Sequence, residues 1–404
     1  MNEDDDPRPP ELSFPALFLR FLRFGVMAFG GPVAQIAMVR RELVEQERWM
    51  SGPRFNRLLA VMQALPGPEA HELCVHLGMR AKGRLGGLLA GLGFMLPGFV
   101  LMVLAAWAYF RFDVDAGLFA TALLGAQAAV VALIARAAHR IGVHVLTDRT
   151  LVLIGGLTAL ATLGGAPFWI ALPAGAAVHV LVLRGRRGEA LAVIAATAVA
   201  CLLWSLWPMR APPGLAPAVP AVLGVVSWAG LFLTGLKGGL LTFGGAYTAI
   251  PFVREDLVGR GWIDDGTFLD GVTVANVLPA PLVIFATFSG YAAGGFAGAV
   301  AITAGMFLPA FAFSMIFYER LEAVVESRPV RAALDGIAAA VIGVIAATVL
   351  NLAAGLAGSP WRTAVLAVIA LAALAAAYRS RWRYSAPVIL AVAALAGFLL
   401  LGRP

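Results

Sequence analysis

The sequence predicts an all-α polytopic membrane protein, built as two inverted-topology repeats with broken or re-entrant helices. Three observations predict it. Apolar runs of about 20 residues recur from end to end, each long enough to cross a hydrocarbon core. The 404-residue chain is 60% hydrophobic and only 13% charged, more apolar surface than a soluble protein of this length can keep from water. The same glycines, prolines and polar residues also recur in the same order in both halves. The runs lack the apolar–polar alternation of a membrane β-barrel.

The elements follow in order. Met1 to Ser13 is acidic and Pro-rich. It lacks the basic start and cleavage site of a signal peptide, and reads as a disordered cytoplasmic tail. The first apolar run, 14–34, is interrupted by Arg20, Arg23 and Gly30-Gly31-Pro32. A charged stretch from Arg40 to Arg57 follows. The run at 55–79 carries Leu65-Pro66-Gly67-Pro68-Glu69-Ala70-His71-Glu72, two prolines and two carboxylates where a plain membrane helix has neither. Further runs lie at 86–110, 117–135, 150–164, 166–183 and 190–207. Past a linker, Pro208 to Pro220, come runs at 221–243, 267–290, 294–318, 332–355, 363–378 and 385–402.

Residues 14–189 and 221–404 read as two copies of one unit, with 190–220 as an extra helix and linker. Phe29-Gly30-Gly31 matches Phe243-Gly244-Gly245, and Arg23 matches Lys237 at the same distance upstream. Trp49 matches Trp262, Phe55 matches Phe268, and Gln63 matches Asn276. Leu65-Pro66-Gly67-Pro68 matches Leu278-Pro279-Ala280-Pro281. Gly83, Gly86, Gly93 and Pro97 match Gly295, Gly298, Gly305 and Pro309. An odd number of segments precedes the second copy, so it enters from the opposite face, a plan common among secondary transporters.

Loop charges agree with a cytoplasmic amino terminus. The clusters Arg80/Lys82/Arg84, Arg136/Arg140/Arg149, Arg184/Arg186/Arg187, Arg320/Arg328/Arg331 and Arg379/Arg381/Arg383 then fall inside. One stretch violates the rule. Arg40, Arg41, Arg48, Arg54 and Arg57 lie outside if 14–34 crosses fully. The conflict vanishes if 14–50 and 55–79 are re-entrant and turn at their Gly/Pro breaks. Such backbone is tolerated at membrane depth where it is buried in protein or lines a wet cavity. The net charge of +7 is spread over these clusters, which argues against nucleic-acid binding.

The candidate site residues sit at the breaks. Gly30-Gly31 and Gly244-Gly245 let backbone approach a ligand, and a helix starting at Pro32 would aim free N–H groups at it. Close helix packing through small residues is the competing explanation. Arg23 and Lys237 are intramembrane cations at matching places, suited to a doubly charged anion; for Arg23 the alternative is snorkelling to the interface. Pro66-Gly67-Pro68 and Pro279-Ala280-Pro281 free backbone groups by breaking the helical ladder. Gln63 and Asn276 precede them as neutral oxyanion ligands. Glu69, His71 and Glu72 would occupy the first turn of a helix starting at Pro68, where the carboxylates are placed to couple protons. The alternative is helix capping with an ion pair to Arg23 or Lys237. The second copy has Leu282, Ile284 and Phe285 there. Cys74 and Cys201 lie in apolar runs with no metal or disulfide spacing. No cofactor, Walker, HExxH or nucleophile-elbow motif occurs, so neither an enzyme nor a cofactor is expected.

Phe29-Gly30-Gly31-Pro32, Leu65-Pro66-Gly67-Pro68, Leu96-Pro97-Gly98-Phe99, Thr242-Phe243-Gly244-Gly245-Ala246-Tyr247 and Leu278-Pro279-Ala280-Pro281 together resemble the chromate ion transporter (CHR) family in its two-domain form. The resemblance covers nearly the whole chain. It implies chromate efflux across the bacterial inner membrane, driven by the membrane potential or the proton gradient. It also brings in sulfate, which chromate mimics in size, shape and charge. The position after Leu-Pro-Gly-Pro is often a small hydroxyl residue in that family; here it is Glu69. The expectation is a secondary active transporter of a tetrahedral divalent oxyanion, with chromate first. Sulfate transport, including uptake, and an anion channel are the alternatives. The expected partners are the oxyanion and the bilayer, and a homodimer is compatible with this reading.

Overall fold

The computed structural model describes residues 7, 9–64, 67–112, 117–205, 226–243, 245–317, 327–380, 382 and 384–402. Most of the acidic tail's first eight residues, the Pro208–Pro220 linker, Pro66 and Gly244 lie outside the described residues. In chain order the helices are α1 (Phe14–Val26), α2 (Gly31–Val39), running into a π-helical turn (Arg40–Gln46), α3 (Gly52–Ala64), α4 (Glu69–Arg111), α5 (Gly117–Val145), α6 (Arg149–Leu163), α7 (Phe168–Leu183) and α8 (Arg187–Ser205). Then come α9 (Trp228–Leu240), a 3-10 turn (Ala246–Ala249), α10 (Ile250–Leu257), α11 (Asp265–Val277), a second 3-10 turn (Leu282–Ile284), α12 (Phe285–Ala312), ending in a π-helical turn (Phe313–Phe317), α13 (Arg328–Gly355), α14 (Pro360–Arg379) and α15 (Ser385–Leu401). Among the described residues there is no strand. Among the described residues six helical stretches are long and apolar enough to cross a membrane, and α6, α7 and α15 are apolar but shorter. The chain is a multi-pass membrane protein.

Two compact units are distinguishable. The first comprises residues 1–133, 226–322 and 358–404, and so draws on both halves of the sequence. Its framework is a pair of helical hairpins. α4 leaves helical geometry at Lys82 (φ −145°, ψ 37°) and Gly83 (φ 62°, ψ −161°). α12 does so at Gly294 (φ −143°, ψ 23°) and Gly295 (φ 62°, ψ −156°). The second residue of each kink occupies a region open essentially to glycine alone, which is why Gly83 and Gly295 are matched in the sequence. Past each kink the chain returns on itself. A Cβ on Gly78 would lie 2.5 Å from Gly86 O, and one on Gly290 would lie 2.6 Å from Gly298 O. His71 Nε2 is 3.2 Å from Gly91 O, and the Thr287 and Thr303 hydroxyls are hydrogen-bonded at 2.7 Å. The short arm 69–81 reaches about 20 Å from its kink, well short of a core about 30 Å thick. The long arm 84–111, about 42 Å, is ample to cross it.

A further helix runs alongside each long arm. The α1 start lies beside the first kink, with Lys82 Nζ 4.8 Å from the Phe14 ring centroid. Farther along, Gly93 abuts Phe18 O and Gly25 abuts Phe94 O and Pro97. In the second copy Gly294 and Gly298 meet Leu231, Gly235 meets Ile302 O, and Gly239 meets Met306 O and Pro309. The matched glycines thus bring helix backbones together without an intervening side chain.

The run at 14–34 is two helices, and the chain turns back after the second. Glu47 accepts a two-pronged hydrogen bond from Arg20 and a 2.9 Å bond from Trp49 Nε1. Trp49 packs edge-on against Phe21, in a core with Leu17, Phe24, Val39, Leu43 and Phe55. The segment from Glu42 to Trp49 therefore runs back along α1.

The second unit comprises residues 134–225 and 323–357. Here α13 packs on α6 and α7 through Gly175 against Gly336 O and Gly343 against Gly155 O. His179 Nδ1 is 2.8 Å from Ala332 O.

The kink geometry is testable. Gly83→Ala and Gly295→Ala should each lower the thermal midpoint in detergent, because φ near +62° costs a Cβ-bearing residue about 1–3 kcal/mol. No atom lies within 4 Å of a Cβ at either position, nor at Gly156, which has helical φ. Gly156→Ala, inside α6, should therefore leave the midpoint unchanged or raise it. Equal midpoints for all three variants would contradict the hairpin description.

Candidate functional site

Among the described residues of the first unit, non-helical backbone occurs at 27–30, 67–68, 241–243 with 245, and 278–281, each next to a hairpin or to the helix beside it. The breaks of the two halves touch. Gly67 N–H donates to Thr242 O at 2.8 Å. Gln35 Nε2 donates to Ala28 O at 2.8 Å and to Ala280 O at 3.1 Å. A Cβ on Gly98 would lie 2.4 Å from Ala280 Cβ. Backbone freed from the helical ladder in one half is thus partnered by the other half, as a water-poor environment demands.

Pro68 caps α4, and Glu69 and Glu72 occupy its first turn, where the helix dipole favours negative charge. Glu72 is 1% exposed. Neither of its carboxylate oxygens has a hydrogen-bond partner among the described residues. Its carboxylate packs directly on Gly67, where a Cβ would fall 2.1 Å from Oε1; Gly67 also holds φ at 150°. Ser314, in the π-helical turn after α12, donates to Glu72 O at 3.2 Å. Glu69, 7% exposed, is hydrogen-bonded by the Gln63 side chain. His71 is fully buried, edge-on to Phe307 and Phe311 at 4.8 Å each. A buried carboxyl without partners carries a high cost as a bare charge. Such a group can hold a proton or take donors from a bound solute.

The second half contributes no acid at its breaks. Gly245 has φ 140°. Thr248 Oγ1 accepts from Phe243 N–H at 3.0 Å and donates to Gly245 O at 2.7 Å, closing the turn. Asn276 Oδ1 accepts from Tyr247 O–H at 2.7 Å, and its Nδ2 donates to Val272 O at 2.9 Å. Pro279 precedes and Pro281 caps the 3-10 turn leading into α12. In the first half, α2 starts at Gly31 with Gly30 as its cap and Pro32 in its first turn.

Arg23 and Lys237 stand apart from these contacts. Arg23 is 63% exposed and 3.4 Å from Glu42, while Lys237 is 27% exposed and paired with Asp256. Each acid follows its base by 19 residues (23 to 42, 237 to 256), so this ion pair is itself a repeated feature. It ties the helix before each Gly-Gly break to the segment after it. Neither cation pairs with Glu69 or Glu72 in the ion pairs found.

Comparison with known proteins bears on what this arrangement serves. The chromate transporter family profile matches residues 15–228 and again 229–398. The chain belongs to the chromate transporter family. The chromate transport protein of Pseudomonas aeruginosa is 60% identical over 345 residues, 85% of this chain and 82% of that protein. The chromate transport protein of Cupriavidus metallidurans is 31% identical over 389 residues, 90% of this chain and 88% of that one. A probable chromate transport protein of Synechococcus elongatus is 29% identical over 345 residues, 85% of each chain. No solved structure matches the chain.

Several residues at the breaks of this chromate transporter family member were not evident from sequence. Gln35 and Thr248 are ordinary polar residues, while Thr242 and Tyr247 stand in the second Gly-Gly motif; for all four only the fold shows what they hold. A glutamine three residues after Gly30-Gly31-Pro32 was the one sequence signal for Gln35. Gln35→Leu should strand the Ala28 and Ala280 carbonyls, at about 1–3 kcal/mol per buried orphan. The thermal midpoint in detergent should fall clearly. A wild-type midpoint would mean that Gln35 does not join the two halves.

Proposed function

We propose that the protein is a secondary active transporter of a tetrahedral divalent oxyanion, chromate first, and that it moves the anion out of the cell. The meeting of the breaks carries this reading. Gly67 and Thr242, and Gln35 and Ala280, come from different halves. They bring unwound backbone together at the inner ends of the short arms, the kind of place where broken-helix transporters bind substrate. N–H groups at the starts of α2, at Gly30-Gly31, and of α4, with Gln63, Asn276 and the backbone at Gly245, form the anion's surroundings. The relatives' names supply the substrate.

Topology follows from charge and contact. The first kink lies among Arg80, Lys82 and Arg84, and the start of α1 is beside it. By the positive-inside rule both are cytoplasmic, so the amino terminus is cytoplasmic; the bacterial relatives favour the inner membrane. At the far end of the long arm, Phe110 stacks on Tyr291 with centroids 6.1 Å apart, next to the second kink. That contact supports opposite faces for the two kinks, hence an inverted repeat. Arg23 and Lys237, at matching places in the two repeats, add positive potential near the site while their acids hold them.

An interior-negative potential drives a dianion outward by about 4.6 kcal/mol per 100 mV, twice the value for one charge. Efflux is therefore the favoured direction. Glu72, with Glu69 and His71, is the proton-coupling group, because a carboxyl buried without partners is where a proton changes the local charge most.

Inverted membrane vesicles test both parts. Energised vesicles should accumulate labelled chromate, with sulfate as competitor. Failure to accumulate it would contradict outward transport. Glu72→Gln should keep transport while flattening its dependence on lumenal pH. An unaltered pH profile would remove Glu72 from coupling.

A further inference from the structure

Asp270 lies in α11, outside the breaks, and is 3% exposed. Its Oδ2 accepts from Tyr109 O–H at 2.8 Å and its Oδ1 from Gln127 Nε2 at 2.8 Å. Tyr109 ends the long arm of α4 and Gln127 lies in α5, so three elements of the first unit converge on one carboxylate. Gln127 Nε2 also lies 3.4 Å from Gly266 O, one turn before Asp270. The charged groups nearer the start of α11 are engaged elsewhere: Asp264 caps the helix through Thr267, and Asp265 is paired with Arg254.

We propose that Asp270 is a second proton-carrying station, on the side of the molecule opposite the short arm that bears Glu72. The inference rests on the transport reading above. Three observations carry it. An ionisable side chain buried in a membrane protein is costly and is retained where charge moves. The partners of Asp270 suit both of its states. A phenol both donates and accepts, so Tyr109 donates to the carboxylate and, by turning its O–H, accepts from the carboxylic acid. Gln127 donates to Oδ1 in either state. Taking up or releasing a proton at Oδ2 therefore leaves both of these hydrogen bonds possible. The location completes the argument. Tyr109 packs on Phe288 with centroids 5.2 Å apart, and a Cβ on Gly271 would lie 2.7 Å from the Phe288 ring. Asp270 thus lies against the short arm of α12, close to the second kink. That arm has Phe285 where the first has Glu72. The second half carries its acid on the neighbouring helix instead. Protons are carried at Asp270, beside the second short arm, and at Glu72, at the inner end of the first, with no covalent step.

Purified protein in proteoliposomes separates coupling from translocation. Counterflow of labelled against unlabelled chromate needs no net proton movement; uphill accumulation under an imposed pH gradient does. Asp270→Asn should retain counterflow and lose pH-driven accumulation, and Asp270→Glu should restore accumulation. Accumulation intact in Asp270→Asn would overturn the proposal. So would loss of counterflow in a variant with the wild-type thermal midpoint, because Asp270 would then serve the substrate path. If Asp270→Asn does not fold, Tyr109→Phe decides. A fall in accumulation with counterflow preserved supports the proposal, and any other result overturns it. Wild-type protein without chromate counterflow would instead overturn the transport reading itself.

Discussion

Backbone released from a helix inside a membrane must find partners within the protein, and the structure depends on how this chain meets that demand. Its breaks satisfy one another across the two halves. Gly67 N–H finds Thr242 O, and one glutamine amide, Gln35, serves Ala28 O in its own half and Ala280 O in the other. Each unpaired group would cost several kcal/mol in a hydrocarbon setting. The contacts therefore tie each break of the first half to one of the second, Gly67 to Thr242 and Ala28 through Gln35 to Ala280. The hairpins provide the reach. A short arm of 13 residues ends about 20 Å from its kink, so a chain that turns at one surface delivers its broken end deep in the protein.

The two halves share a backbone plan and differ in chemistry. Kink dihedrals, helix-crossing glycines and the base–acid pair 19 residues apart all recur. The carboxylates do not. The first half has Glu69 and Glu72 on its short arm, and the second has apolar residues there and Asp270 on an adjacent helix. Symmetry supplies the framework, and the departures from it supply the ionisable groups. Arg23 and Lys237 belong to the symmetric part. Their acids, Glu42 and Asp256, make them clasps between the segments flanking each Gly-Gly turn, and any field they exert on a bound anion is reduced by those partners.

Much of this was legible in the sequence. Glycines and prolines have backbone requirements that survive translation into pattern, so the breaks, the repeat, the start of α4 at Pro68 and the turning back of 14–50 could be read from residue types and loop charges. Gly83 and Gly295 were visible as a matched pair, although their role as hairpin kinks was not: a positive φ leaves no trace beyond the glycine itself. Long-range polar contacts were hidden for a different reason. Gln35, Thr242 and Asp270 acquire their partners from residues far away in sequence, and no local pattern names those partners. The cations illustrate the converse. Arg23 and Lys237 stand out because they are charged and matched, yet their acids lie in the next segment and become evident as partners only in three dimensions.

The central claim is that the two halves build one shared anion site rather than one site each. Equilibrium binding of labelled chromate to the purified protein tests it, with Gly67→Ala and Gly245→Ala altering a break in the first and second half respectively. The account predicts one chromate per chain and loss of binding in either variant. Two chromates per chain, with one surviving in each variant, would contradict it.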